Sequence, residues 1–162
     1  MKQYILIDGW KANLRFSSAH IIPEYEKCGR LHGHTYAVHI RIEGIPDENG
    51  IIVDFSLVKN HLKDIVQNLD HKILIPAHHP NVTVKKTDSM IQLVSLGKTY
   101  QFPTNDCFLL PIQSTSAEDL SRYILEELLP HFILLKNIRE IEIGVDEGYG
   151  QGARISKEIK ER

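Results

Sequence analysis

Cysteine is scarce in this 162-residue chain, and long apolar runs are missing altogether. Cys28 and Cys107 are its two thiols, too few to staple a disulfide scaffold and in keeping with a reducing compartment. No stretch approaches the roughly 18 apolar residues of a membrane helix. Near the N-terminus, Ile5-Leu6-Ile7 reaches Asp8 too soon to form a signal-peptide core. The expected location is the cytoplasm, with no membrane partner. Neither sign of charge is in excess: 19 Lys and Arg stand against 21 Asp and Glu, for a net charge of -2. A nucleic-acid reader shows a basic stripe, and none is visible, so nucleic acid is not an expected partner. Repeats of solenoid period and low-complexity tracts are absent too. The remainder, 42% hydrophobic and 25% charged, is ordinary globular composition. The length suits one domain with a sizeable core and is short for two. Residues 1–162 are therefore read as a single domain.

Periodicity supplies the elements. Ala12, Leu14, Phe16, Ser18 and His20 share one parity, which predicts a strand with one buried face. Pro23 and Gly29 break the pattern over residues 21–31, a loop. A second strand is expected from about His32 to Glu43, and Gly44 through Gly50 carry turn chemistry. Asp54 is placed to cap a helix over about 55–69, with Phe55, Val58, Leu62, Ile65, Val66 and Leu69 at helical spacing. Ser116 opens a second helix, whose stripe of Leu120, Tyr123, Ile124 and Leu128 is expected to stop at Pro130. Ile141, Ile143 and Val145 then alternate with polar residues, and a last strand is expected over about 152–158. Between the helices, residues 90–95 and 99–102 flank Leu96-Gly97-Lys98 as a hairpin, and residues 108–110 read as another strand. The outline is α+β: a largely antiparallel sheet, two helices on one face, and an inserted hairpin within about 76–112.

Nine histidines are present, and three of them fall in phase with core faces. His32 and His34 lie two apart on one strand, so their side chains share a face. His20 ends the preceding strand, and antiparallel pairing across the loop brings it beside them. Three neutral imidazoles suit Zn²⁺ and leave a fourth position open for water or substrate, the pattern of a catalytic site. Cys28, four residues before His32, has two readings. A dication lowers a thiol's pKa, and a thiolate there is either a general base or a fourth zinc ligand. Asp70-His71 closes the first helix, where a histidinium interacts well with the helix dipole and where a carboxylate tunes a histidine for proton transfer. Glu147 continues the parity of Ile141, Ile143 and Val145, so it is expected to point inward, and a buried carboxylate needs a partner.

Several blocks carry a family resemblance. Phe16-Ser17-Ser18-Ala19-His20, Cys28-Gly29-Arg30-Leu31-His32-Gly33-His34-Thr35-Tyr36, Val53-Asp54-Phe55, Leu69-Asp70-His71, Ser116-Ala117-Glu118-Asp119-Leu120 and Val145-Asp146-Glu147 occur in order along nearly the whole chain. Together they resemble the 6-pyruvoyltetrahydropterin synthase family. The Cys with three residues before His-Gly-His is similar to its 6-carboxytetrahydropterin synthase sub-type, of the queuosine and archaeosine routes. A folate-related sub-type carries Glu three residues before the first His; Gly29 stands there in this chain.

The resemblance implies a tunnelling fold, a homo-oligomer (a hexamer) with pockets at subunit boundaries, and a zinc ion on His20, His32 and His34. It further implies 7,8-dihydroneopterin triphosphate as substrate and 6-carboxytetrahydropterin, acetaldehyde and triphosphate as products. Cys28, Asp70 and His71 would be the acid–base machinery, Glu147 the pterin anchor, and Ser116 a pocket contact that capping explains equally well. His39, His61, His78, His79 and His131 match no functional position, Tyr36 and Cys107 read as core residues, and the triphosphate grip is open between Lys27, Arg30 and others. The insertion departs from the family pattern. Two rival readings are a 6-pyruvoyl synthase and a non-catalytic zinc or pterin-binding module.

Overall fold

The computed structural model describes residues 2–159. Its larger sheet is built on β3 (His32–Gly44), which pairs antiparallel with β9 (Ile138–Glu147) along one edge. Along its other edge β3 pairs with β2 (Arg15–His20) and then with β1 (Gln3–Ile7). β10 (Gly152–Glu158) extends the sheet beyond β9 as a hairpin. The far side is parallel: β4 (Lys72–Pro76) joins β2, and β8 (Cys107–Leu110) joins β4. The sheet is thus antiparallel at its centre, with a parallel margin that alternation cannot reveal, because both pairings give the same period of two.

One face of this sheet is apolar. Phe16, Tyr36, Val38, Ile40, Ile42, Ile141, Ile143 and Val145 are all buried on it. Two helices cover that face, α1 (Phe55–Leu69) through Val58, Leu62 and Val66, and α2 (Ala117–Phe132) through Leu120, Ile124, Leu128 and Phe132. Asp54 caps α1 by accepting the Ser56 N–H at 2.7 Å. Ser116 caps α2 by accepting the Asp119 N–H. α2 does not stop at Pro130. It runs on to Phe132, because a proline in the last turn removes a single backbone bond while the Ile133 N–H still closes onto the Leu129 carbonyl and Phe132 is fully buried. β2 also begins later than its sequence parity suggests, at Arg15, since residues 8–14 turn back through Ala12 N–H to Asp8 O and Leu14 N–H to Gly9 O.

The region between the helices forms a second sheet. β6 (Met90–Ser95) and β7 (Lys98–Pro103) make the expected hairpin, and β5 (Val82–Lys86) pairs with β6 to give three antiparallel strands. Its buried apolar residues, Val82, Ile91 and Leu93, pack with Ile21 and Ile75 as an apolar cluster separate from the main core. No helix among the described residues is long and apolar enough to cross a membrane.

Candidate functional site

The apolar face ends in histidines. Register places His20 of β2 directly opposite His32 of β3, with His34 across from Ser18. One nitrogen from each of the three rings can be chosen so that all lie within 4.8 Å of one another. His20 Nδ1 lies 3.0 Å from the Thr115 carbonyl and His32 Nδ1 lies 2.7 Å from the Arg30 carbonyl. A carbonyl accepts only, so both Nδ1 atoms carry a proton, and in the neutral rings both Nε2 atoms present lone pairs. Those two Nε2 atoms face each other at 3.1 Å. Two lone pairs that close repel unless an electrophile lies between them, and a divalent cation is the electrophile that neutral imidazoles take up. Burial pulls His20 down to about 4, with the charges of His32 and His34 adding to it and the Thr115 bond opposing. Its imidazole is therefore neutral at pH 7. The Tyr36 hydroxyl closes the floor of the site, 3.2 Å from His20 Nδ1. The three imidazoles can hold one metal ion, and among the described residues no other group of three or more His, Cys, Asp or Glu is so arranged.

Beside the histidines opens a cavity of about 320 Å³ lined by Ile22, Tyr25, Cys28, Ser116, Glu118 and Glu147, among others. Strand parity carries Glu147 there: it pairs across from Tyr36 at the end of β9, on the helix-covered face. Burial raises its pKa, and the charge of Glu118 adds to that rise, while His34 and His32 pull the other way. Cys28 is exposed, as a free thiol. The structure thus gathers Cys28, Ser116 and Glu147 around one cavity.

Asp70 and His71 are placed elsewhere. Their side chains meet, His71 Nδ1 lying 2.8 Å from Asp70 Oδ2. Both residues clamp the backbone of Ser17: Asp70 accepts its N–H at 2.8 Å, and the His71 N–H donates to its carbonyl at 2.8 Å. Burial pushes Asp70 up, but the bonds from Ser17 and His71 together hold it below the usual carboxylate range. His71 stands at φ +56°, uncommon for a residue with a side chain, and its ring is 83% exposed. It lines a second opening with Ser17, Ala19, Gly33 and Thr35, whose parity is that of the sheet's other face, and Ser18 and one member of the metal triad, His34, reach the same opening. Within one chain, His71 and Cys28 line different openings.

Sequence reasoning missed Thr115, which is fully buried, fixes the His20 tautomer through its carbonyl and donates its hydroxyl to Ile21 O. Nothing in its residue type signals this; only its place just before the cap of α2 does. It also missed a network on the sheet's helix-free face. Asp146 accepts from Trp10 Nε1 at 3.0 Å, pairs with Arg154 at 2.8 Å, and meets His39 Nε2 at 2.9 Å. Trp10 in turn stacks on Tyr149, ring centroids 4.2 Å apart. His61 and His131 stack on each other across α1 and α2. Arg30 pairs loosely with exposed Glu26, and burial raises the Cys107 thiol.

Comparisons with known proteins agree with one another. A family model described as 6-pyruvoyl tetrahydropterin synthase matches residues 10–158. A provisionally named 6-carboxy-5,6,7,8-tetrahydropterin synthase of Methanocaldococcus jannaschii is 38% identical over 157 residues, 95% of this chain and 96% of that protein. Its counterpart in Pyrococcus abyssi, also provisionally named, is 34% identical over 147 residues, 90% of this chain and 87% of that one. Among solved structures, 6-pyruvoyl tetrahydropterin synthase of Plasmodium falciparum superposes with a TM-score of 0.88 at 29% identity, covering 98% of this chain and 99% of that one.

Proposed function

The chain belongs to the 6-pyruvoyl tetrahydropterin synthase family, and from that premise we propose that it is a zinc-dependent lyase converting 7,8-dihydroneopterin triphosphate and water to 6-carboxy-5,6,7,8-tetrahydropterin, acetaldehyde and triphosphate. The observation that carries this reading is the convergence of three imidazoles beside a cavity that also holds a thiol and an inward carboxylate. The names of the archaeal relatives and the spacing of Cys28 before His32 favour the carboxy product over the pyruvoyl one. The reaction belongs to a cytoplasmic queuosine or archaeosine precursor route.

Glu147 would anchor the substrate: a pterin's 2-amino and N3–H edge presents two parallel donors that suit a carboxylate. Zinc bound at His20, His32 and His34 would supply Lewis acidity toward the side-chain hydroxyls. Cys28, as a thiolate, would take a carbon-bound proton at the cavity wall. His71, oriented by the carboxylate of Asp70, would exchange protons with the substrate side chain. Since His71 and Cys28 line different openings of one chain, this reading needs a homo-oligomer in which the dyad of one subunit completes the cavity of another, in a hexamer by family resemblance.

Product analysis tests the proposal. Incubation with 7,8-dihydroneopterin triphosphate is expected to release acetaldehyde, and a pyruvoyl product without acetaldehyde would replace the assignment with a 6-pyruvoyl synthase. Cys28→Ala is expected to keep its zinc and lose turnover; loss of zinc instead would make Cys28 a ligand in a non-catalytic module.

A further inference from the structure

Cys28 lies on the loop of residues 21–31, and Ile22, Tyr25 and Cys28 form one wall of the cavity. Within residues 22–29 the backbone bonds are local: Ile22 N–H to Cys28 O, Tyr25 N–H to Ile22 O, and Gly29 N–H to Tyr25 O. Its ends are anchored, Ile21 O accepting from the Thr115 hydroxyl and Arg30 O from His32 Nδ1. Between those ends, among the described residues, the hydrogen bond from the loop to another element is the one between Glu24 and His79.

His79 is built to make that bond. It follows β4, where Ala77 N–H donates to Leu110 O and His78 N–H to Ile112 O, so its backbone is tied to the end of β8. Its side chain is 3% exposed. The Asn81 N–H donates to its Nδ1 at 3.0 Å, which leaves the proton on Nε2, aimed at Glu24. That bond holds the Glu24 carboxyl below its usual range.

A second contact comes from the inserted sheet. Leu96, at the β6–β7 turn, sits at φ +51°, an unfavourable region for a bulky side chain. It reaches the loop all the same: a Cβ added at Gly29 would lie 2.5 Å from Leu96 Cδ1. The underside of the same sheet packs through Val82, Ile91 and Leu93 on Ile21, at the start of the loop and next to His20.

We propose that the inserted sheet and the turn before it are a buttress that sets Cys28 against the cavity, with His79 and Leu96 as positioning residues acting through Glu24 and Gly29. This rests on the lyase reading, in which Cys28 must meet substrate at a fixed place. It also gives the insertion a role other than a lid: its contacts fall behind the cavity wall, on Glu24 and Gly29, and none of its residues lines the cavity.

Amide hydrogen exchange on the full-length protein tests the buttress without relying on turnover. Glu24→Ala removes an acceptor from a half-exposed side chain and leaves the core untouched. It is expected to speed exchange at the Ile22 and Gly29 amides by about tenfold or more, the scale of losing a hydrogen bond to a charged group. Amides of β3 and the zinc content should not change. In the steady state, kcat is expected to fall while KM holds, because Glu147 and not the loop grips the ring. His79→Gln, whose amide can still donate, is expected to restore most of the protection that His79→Ala loses. Unchanged exchange in Glu24→Ala, or equal loss in both His79 variants, would overturn the proposal. A wild-type protein that exchanges as expected but releases no acetaldehyde would instead sink the lyase assignment alone.

Discussion

Glu147 shows how far one residue can be read before and after folding. Its inward direction was legible from parity with Ile141, Ile143 and Val145, and the structure places it on the cavity. What parity does not convey is the cost. Burial and the neighbouring Glu118 raise its pKa, so the fold resists ionising it. The stability linked to its protonated form is full below the unfolded pKa of about 4.3 and is lost as pH rises through the higher folded value. Glu147→Gln, neutral at every pH, is therefore expected to be more stable than wild type at pH 7 without ligand. Denaturant titrations should show that difference vanish below about pH 4. The same variant should raise KM for the pterin by about tenfold to a hundredfold, the range for a lost charge-assisted hydrogen bond. The histidines were legible for the same reason as Glu147, since each sits in phase with a core face. Thr115 was not, because its service to His20 comes from a backbone carbonyl, which every residue has.

At the scale of elements, caps and periodicity located both helices. Ser116 accepts from Asp119 N–H while the Asp119 carboxylate accepts from Ser114 N–H at 3.0 Å, so the entry to α2 is held from both directions. Ser116→Ala is expected to cost about 1 kcal/mol of stability, measured by urea unfolding, with little change in KM if capping is its main service. Three strands escaped the pattern. In β1, Tyr4 and Leu6 are apolar yet largely exposed, so no alternation marks it. β4 is an almost unbroken apolar stretch between two parallel neighbours, a kind of strand that alternation cannot register. β5 is short and ends in two lysines. The α2 boundary failed for another reason: Pro130 removes one backbone bond to the turn before it, and burial of Phe132 with the Ile133 N–H bond to Leu129 O carries the helix two residues further.

For the whole molecule, the separation of Cys28 from the Asp70–His71 dyad is the telling feature. If catalysis uses both, the working unit is an assembly, and two dead subunits can repair each other. Cys28→Ala and His71→Ala are each expected to be inactive. Unfolded together and co-refolded in equal amounts, they should regain up to about a quarter of wild-type activity, since random assembly pairs an intact thiol with an intact dyad in that share of boundaries. No recovery from well-folded mixed oligomers would place both groups in one chain's site or remove one of them from the chemistry. Neither composition nor periodicity could reveal this division; it depends on how the turn between α1 and β4 sets His71.

The chain has a single tryptophan. Trp10 lies flat on Tyr149, two residues beyond Glu147, and its indole N–H is bonded to Asp146, the residue before it. Its emission is therefore a native optical gauge of the segment that carries Glu147, needing no dye, label or engineered reporter. Filling of the cavity beside Glu147 is expected to shift the colour and intensity of that light, read from the opposite side of the sheet in a ligand titration.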